Sequence, residues 1–382
     1  MRSFKVLLIS CISWFVFLCF FHYFSARGLW LDENFILKNL ESLQTPQILG
    51  PLSSSQAFPR IYLIAIKLFS QKFDYNVLSL RFFPLLSMLA AFFIWAKIYQ
   101  EELSGRWQAL LALFLFSSSY HLSYYAAELK HYSMDVLVVA IFSLYMIRLR
   151  QLKHSPSKLF IGATLMLPLT LFLSYSSFFI FWVVIYNFLF ILKENRKILP
   201  LLIIYTSMCF LFGVFIYFFD LKYTLSTSAL FSYWSDYFVC TDTFYCFIKS
   251  FGEGLRKMSV WWFGNSSFFR RIASFFIPFF VLSLFGYGIK SLKKGKFRLL
   301  TIDSLGIIIF LELVILGATG KYPFTGARIT LFFAPFVFYF IVKGISFCRR
   351  NRALYLGFSV FCIIFLIMCS VNSFLAYLEL YR

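Results

Sequence analysis

Ile198-Leu199-Pro200-Leu201-Leu202-Ile203-Ile204-Tyr205-Thr206-Ser207-Met208-Cys209-Phe210-Leu211-Phe212-Gly213-Val214-Phe215-Ile216-Tyr217-Phe218-Phe219 runs without a single lysine, arginine, aspartate or glutamate. An α-helix needs about 20 apolar residues to cross the hydrocarbon core of a bilayer. Lipid offers the backbone no hydrogen-bond partner, so a segment that crosses must pair its own amides and carbonyls as a helix.

Outward from this run the pattern repeats. Apolar stretches at 6–24, 78–97, 107–123, 131–147, 159–174, 176–192, 272–289, 299–318, 329–346 and 353–375 bring the expected spans to eleven. The pair 159–174 and 176–192 reads as a hairpin turning near Ser174-Tyr175-Ser176-Ser177. Composition agrees: 61% of the 382 residues are hydrophobic and 14% charged, against about 45–50% and about 25% in a soluble domain. No period-two pattern is sustained and no tandem repeat is visible. The expected fold is an all-α polytopic membrane protein, one integral domain over 1–382.

The formal charge of +20 would suggest nucleic acid in a soluble protein. Here the cations sit between apolar runs, with no zinc spacing, RNA-binding signature or long basic stripe, so no nucleic-acid partner is expected. Arg148–Lys158, Lys193–Lys197, Lys290–Arg298 and Lys343–Arg352 all fall on one face of an eleven-span chain, together with Arg2 and Lys5. The excess of Lys and Arg in short loops assigns that face, and the N-terminus, to the cytoplasm of a cell (inner or plasma) membrane. Residues 1–24 resemble a signal peptide but lack a small-residue cleavage site, and are read as a retained first span.

The opposite face receives two long segments, 25–77 and 220–271. Connections of that length are uncommon unless functional or structured. Phe58–Phe69 has helical periodicity around Arg60 and Lys67 and reads as an interfacial helix. Six cysteines lie in or beside apolar runs as small hydrophobes; Cys240 and Cys246 flank a polar stretch, and spacing alone leaves their pairing open.

Three polar clusters fall on this second face. In Leu29-Trp30-Leu31-Asp32-Glu33-Asn34, two adjacent carboxylates are costly beside apolar neighbours unless used or paired, and a desolvated carboxylate suits proton abstraction. The same two residues would also cap and charge the first turn of a helix. In Tyr124–Asp135, Glu128, His131 or Tyr132, and Asp135 share a helical face. They form either a polar-ligand site or a set of satisfied interfacial residues. Gly320-Lys321-Tyr322-Pro323-Phe324-Thr325-Gly326-Ala327-Arg328 breaks the helix before a late span. It leaves Arg328 placed to bind phosphate or to snorkel. Arg81, at the start of the second span, is a further candidate for phosphate or carboxylate. Asp135 and Glu312 lie inside apolar runs, where ionisable groups are expensive, and read as structural hydrogen-bonding groups. Asp236, Asp242 and Glu253 read as solvated. The chain has no phosphate-cradling GxxxxGK[ST], no HExxH and only four histidines, which argues against an ATP-driven pump or a zinc protease.

At these clusters the sequence resembles the GT-C superfamily of membrane glycosyltransferases, which includes protein O-mannosyltransferases (glycosyltransferase family 39) and lipid A aminoarabinose transferases. Trp30-Leu31-Asp32-Glu33 is similar to the family's first-loop acidic motif. Ala57-Phe58-Pro59-Arg60-Ile61-Tyr62 resembles its hPPLyy segment, departing at Phe58 and Arg60. Leu80-Arg81-Phe82-Phe83-Pro84 resembles lRlps. Glu128-Leu129-Lys130-His131-Tyr132-Ser133 resembles E-x-R-x-Y, with Lys130 in place of Arg. Tyr322–Arg328 resembles YPfggR. The likeness covers roughly 1–150 and 300–345; 155–300 matches in hydropathy alone.

The resemblance implies transfer of a sugar from a polyprenyl-phosphate donor to a lipid, glycan or protein acceptor on the outer side of the membrane, by a single inverting displacement. Asp32 and Glu33 would be the catalytic pair, with Asp32 as general base and Glu33, like Glu128, orienting the groups around it. Arg328 and Lys130, with His131 and Arg81, would stabilise the leaving phosphate, and Tyr132 and Tyr322 would complete the substrate-binding set. No cofactor is implied with certainty; a divalent cation is left open, since metal use varies in the superfamily and no ligand set stands out. The rival readings are a transporter or flippase for a lipid-linked glycan, and a non-catalytic scaffold.

Overall fold

The computed structural model describes residues 2–150, 158–193, 195–225, 232–264, 266–293, 301–348 and 352–380. Among the described residues there is no strand. The α-helices longer than one turn are α1 (Arg2–Phe24), α2 (Leu31–Ser42), α3 (Arg60–Ser70), α4 (Val77–Glu102), α5 (Arg106–Ser117), α6 (Tyr120–Tyr125), α7 (Tyr132–Arg150), α8 (Lys158–Met166), α9 (Phe181–Leu192), α10 (Leu199–Ile216), α11 (Phe244–Val260), α12 (Ser267–Ala273), α13 (Ile277–Lys293), α14 (Ile302–Ala318), α15 (Ala334–Phe347) and α16 (Arg352–Leu380).

Eight helical stretches among the described residues are long and apolar enough to cross a bilayer, so the chain is a multi-pass membrane protein. They coincide with eight of the eleven expected spans. Of the other three, two are broken for a visible reason and one is described only in part. The stretch 107–123 stops at the serine run Ser117-Ser118-Ser119, level with Cys11 of α1, and resumes as α6. Its hydroxyls are satisfied inside the protein: Ser117 Oγ lies 3.0 Å from Cys11 Sγ, Ser118 Oγ accepts from Ser370 Oγ at 3.0 Å, and Ser119 Oγ donates to the Trp262 carbonyl at 3.0 Å. Irregular backbone at membrane depth is tolerated only when protein supplies such partners. The stretch 159–174 tightens into a 3₁₀ turn at Leu167–Phe172. There Pro168 removes a donor and Thr170 Oγ1 donates to the Leu167 carbonyl at 2.6 Å. The stretch 299–318 is the 17-residue α14.

One end of the bundle gathers 25–77, 126–131, Ser174–Ser177, 232–246 and 320–328. At the other end Arg148 pairs with Glu101 (2.5 Å) and Lys343 with Asp303 (2.5 Å), where the basic connections begin. Residues 151–157, 194, 294–298 and 349–351 of those connections lie outside the described residues.

Packing sorts the helices by composition. α15 is apolar all round and sits at the centre: Phe336, Val337, Phe338, Tyr339, Phe340 and Ile341 are fully buried. α10 is as apolar but peripheral, with Phe210 and Leu211 exposed, as a lipid-facing helix should be. The helix expected around Phe58–Phe69 is α3, with Leu68 exposed and its two cations turned inward. Arg60 and Lys67 are buried. Arg60 pairs with Asp220 at 3.6 Å, and Lys67 Nζ donates to the Leu40 carbonyl in the last turn of α2, where orphan carbonyls favour a cation.

α15 and α13 touch closely because residue 344 is glycine. A Cβ there would overlap the Phe279 carbonyl, whereas nothing lies near Gly357 of α16. Small residues permit this kind of approach between membrane helices. Gly344→Leu should therefore cost about 1–3 kcal/mol and lower the melting temperature in detergent, while Gly357→Leu leaves it unchanged. Equal melting of the two variants would contradict this packing.

Candidate active site

The site is built at the end of the bundle where the two long segments meet. Asp32 enters from the first turn of α2. Arg328 enters from the far side through two backbone devices. α14 ends in a Schellman turn: the Lys321 amide donates to the Leu316 carbonyl at 2.8 Å and the Gly320 amide to the Gly317 carbonyl at 3.3 Å. Gly320 takes φ +65°, a conformation glycine adopts without a Cβ penalty. The chain then passes so close to α11 that a Cβ on Gly326 would overlap the Lys257 carbonyl.

Arg328 Nη1 lies 2.8 Å from Asp32 Oδ2, and Lys130 Nζ lies 3.8 Å from the same oxygen. Lys130 also donates to Gln56 Oε1 at 2.9 Å. The Arg328 guanidinium stands over Trp30 (5.5 Å), Tyr233 (5.9 Å) and Trp234 (5.8 Å), an aromatic cage that holds its plane and adds cation–π attraction. Burial pulls the Lys130 ammonium down to about 8, with Asp32 opposing the shift and Arg328 adding to it. Lys130 therefore sits near the pH at which it gains or loses its charge.

Beneath this rim lies a second cluster, in which Glu33, Arg81 and Glu128 are fully buried. Arg81 Nε and Nη2 donate to the two Glu33 oxygens at 2.9 and 2.7 Å. The Leu129 amide donates to Glu33 Oε1 at 2.7 Å, and Arg81 Nη1 donates to the Arg27 carbonyl at 2.9 Å. Arg27 pairs with Glu128, whose carboxylate also accepts from Trp30 Nε1. Two guanidinium groups thus neutralise two carboxylates that are withdrawn from solvent, which is what keeps buried charge affordable.

Of the expected site residues, Glu33 is buried, accepts from Arg81, Leu129 and the Trp30 amide (3.3 Å), and does not line the cavity. Arg81 and Glu128 also lie outside the lining, engaged within the cluster. Its role is positional, since it fixes Trp30 beside Asp32 and Leu129 beside Lys130.

His131, Tyr132 and Tyr322 do line the cavity. His131 is held down to about 3, first by burial and then by Lys130 and Arg328. The Tyr322 hydroxyl donates to the Ile329 carbonyl at 2.7 Å and closes the turn that carries Arg328. Asp135 is a structural acceptor, hydrogen-bonded by Ser174 Oγ at 2.5 Å, and Glu312 accepts from Trp182 Nε1 at 2.6 Å.

The cavity encloses about 690 Å³. Asp32, Lys130, Lys321 and Arg328 are its charged lining, and Phe35, Phe178, Phe179, Leu221 and Phe238 are among its apolar lining. The wall carrying Tyr233 and Trp234 was invisible to sequence reasoning; the only signal was an aromatic pair in an otherwise polar stretch. It is tied down by the Cys240–Cys246 disulfide and by two backbone bonds, Val239 amide to Gly317 carbonyl (3.1 Å) and Phe324 amide to Tyr237 carbonyl (3.0 Å). Arg27 and Gln56 were missed because neither belongs to a recognisable pattern. Among the described residues no three His, Cys, Asp or Glu side chains converge as metal ligands.

Fold and site together define an all-α multi-pass membrane protein with a carboxylate–guanidinium–ammonium cluster facing a cavity at one end of its bundle. Comparison with protein-family models, curated proteins and solved structures returns no match.

Proposed function

We propose that the chain is a membrane glycosyltransferase of GT-C type, crossing the cytoplasmic membrane eleven times with its site on the outer face. It would move a sugar from a polyprenyl phosphate to an acceptor hydroxyl. The observation that carries this reading is the single carboxylate, Asp32, held between Arg328 and Lys130 in a cavity whose lining combines ionic and apolar side chains. Such a lining suits a ligand with both a charged group and an apolar tail. Arg148 and Lys343, which border two of the basic connections, lie at the end away from the site, and this supports the orientation.

The phosphate competes with Asp32 for Arg328 and Lys130. Once those cations turn to phosphate, Asp32 is free to accept the proton of the acceptor hydroxyl. The acceptor oxygen attacks the anomeric carbon, the bond from that carbon to the phosphate oxygen breaks, and polyprenyl phosphate departs with the electron pair. The result is an inverted glycoside. Arg328 and Lys130 stabilise the charge that develops on the leaving oxygen.

The titration of Lys130 gives a test. It is a cation below about 8 and neutral above, so phosphate binding weakens as pH rises through that value. With reconstituted protein, the KM for a polyprenyl-phosphate sugar should rise about tenfold between pH 7 and 9, the scale of one charge-assisted contact. In Lys130→Arg that rise should vanish. A pH-independent KM in both proteins would remove Lys130 from phosphate binding, and absence of glycoside at every pH would end the transfer reading.

A further inference from the structure

Behind the Arg328 cage lies a second cavity of about 450 Å³, and its lining is unlike the first. Arg256, Lys257, Arg270, Arg271 and Arg328 all face it, and no carboxylate lines it. Among the described residues Glu253 pairs with Arg256 (2.6 Å) and Lys257 (3.8 Å), and Asp32 with Arg328, each from outside the lining. Cations gathered around a partly enclosed space favour an anion bound within it.

The cavity is built rather than incidental. Arg256 and Lys257 come from the C-terminal part of α11, and Arg270 and Arg271 from α12. The Trp261-Trp262-Phe263 turn between them folds the two helices against each other. Arg270 is steadied by its bond from Nε to the Ser266 carbonyl (3.3 Å) and Lys257 by the Tyr237 ring (5.1 Å). Trp261 and Tyr125 supply a flat aromatic floor. Guanidinium groups offer planar pairs of donors that match phosphate oxygens.

We propose that this cavity is a second anion site that takes a phosphate monoester. The two cavities share Arg328, Tyr233 and Trp234 as a common wall, so a phosphate bound here stands next to the cavity that contains Asp32. Assigning that phosphate to the acceptor, so that the acceptor is a phosphorylated lipid or glycan, rests on the transfer reading; the anion site itself does not.

The test is direct binding with the full chain in phosphatidylcholine nanodiscs at pH 7. One arm titrates inorganic phosphate. The other replaces a tenth of the lipid with phosphatidic acid and counts retained phosphatidic acid by native mass spectrometry. Either a free phosphate or a lipid phosphate binds the wild-type protein, and the responding arm identifies the source. In Arg270→Gln/Arg271→Gln that binding should weaken at least tenfold, and in Arg271→Gln alone, an exposed position, about threefold to tenfold. Asp32→Asn should bind as wild type or more tightly. If neither probe binds the wild-type protein, or if the arginine variants bind it unchanged, there is no second anion site. Since the readout is binding, that outcome leaves the sugar-transfer reading standing, and loss of transfer in Asp32→Asn would not rescue the site.

Discussion

Asp32→Asn is expected to reach the membrane in normal amount, melt within a few degrees of wild type, and lose about 10²–10⁴-fold in turnover, the range that one general base contributes. The stability expectation follows from position. Asp32 sits at the cavity rim with a fifth of its side chain exposed; without it buried Lys130 keeps its bond to Gln56 and can shed its proton, and Arg328 keeps its aromatic cage. The kinetic expectation has a signature that a merely structural role would not produce. With asparagine in place, Arg328 and Lys130 lose their internal competitor, so KM for the donor should hold steady or fall while kcat collapses. A loss of kcat/KM arising mainly from a higher KM would show instead that Asp32 only organises the cations.

Arg81→Met has the opposite profile. It removes the closest cation from a cluster in which Glu33 is fully buried and takes two bonds from Arg81, leaving the Leu129 and Trp30 amides and, as the nearest charge, Arg27 at 3.7 Å. Stranding a buried carboxylate costs about 3–5 kcal/mol, enough to cut the yield of folded protein severely. Adding Glu33→Leu should recover part of that loss, because a paired charge replaced by apolar groups is far cheaper than a charge left alone. Thermal unfolding in detergent and the fraction of protein surviving extraction report both effects. Wild-type behaviour of Arg81→Met would mean that the cluster does not hold the site together.

The contrast between these variants shows what could be read from the chain. The apolar runs were legible, because 20 residues without charge leave a helix in lipid as the only solution. The break at Ser117-Ser118-Ser119 was not, since its hydroxyls are satisfied by Cys11, Trp262 and Ser370 from distant parts of the chain. Asp32, Lys130 and Arg328 could be singled out, and the structure brings the three together. Asp32 and Glu33 could not be told apart. They are neighbours in sequence, but successive residues on a helix point about 100° apart. Which of the two enters the cavity depends on Arg81 and Leu129, lying 48 and 96 positions away. The basic residues of 256–271 were passed over for a similar reason: each is an ordinary surface cation until α11 and α12 fold back on each other around Trp261-Trp262-Phe263.

The most direct measurement of the central claim places the purified protein in sealed vesicles with its site end outward. A polyprenyl-phosphate sugar is supplied with a phosphorylated lipid acceptor, and both products are followed. The account predicts one inverted glycoside for every polyprenyl phosphate released, with both products absent in Asp32→Asn. An intact lipid-linked sugar recovered on the opposite leaflet, with no new glycosidic bond, would contradict it and identify a transporter.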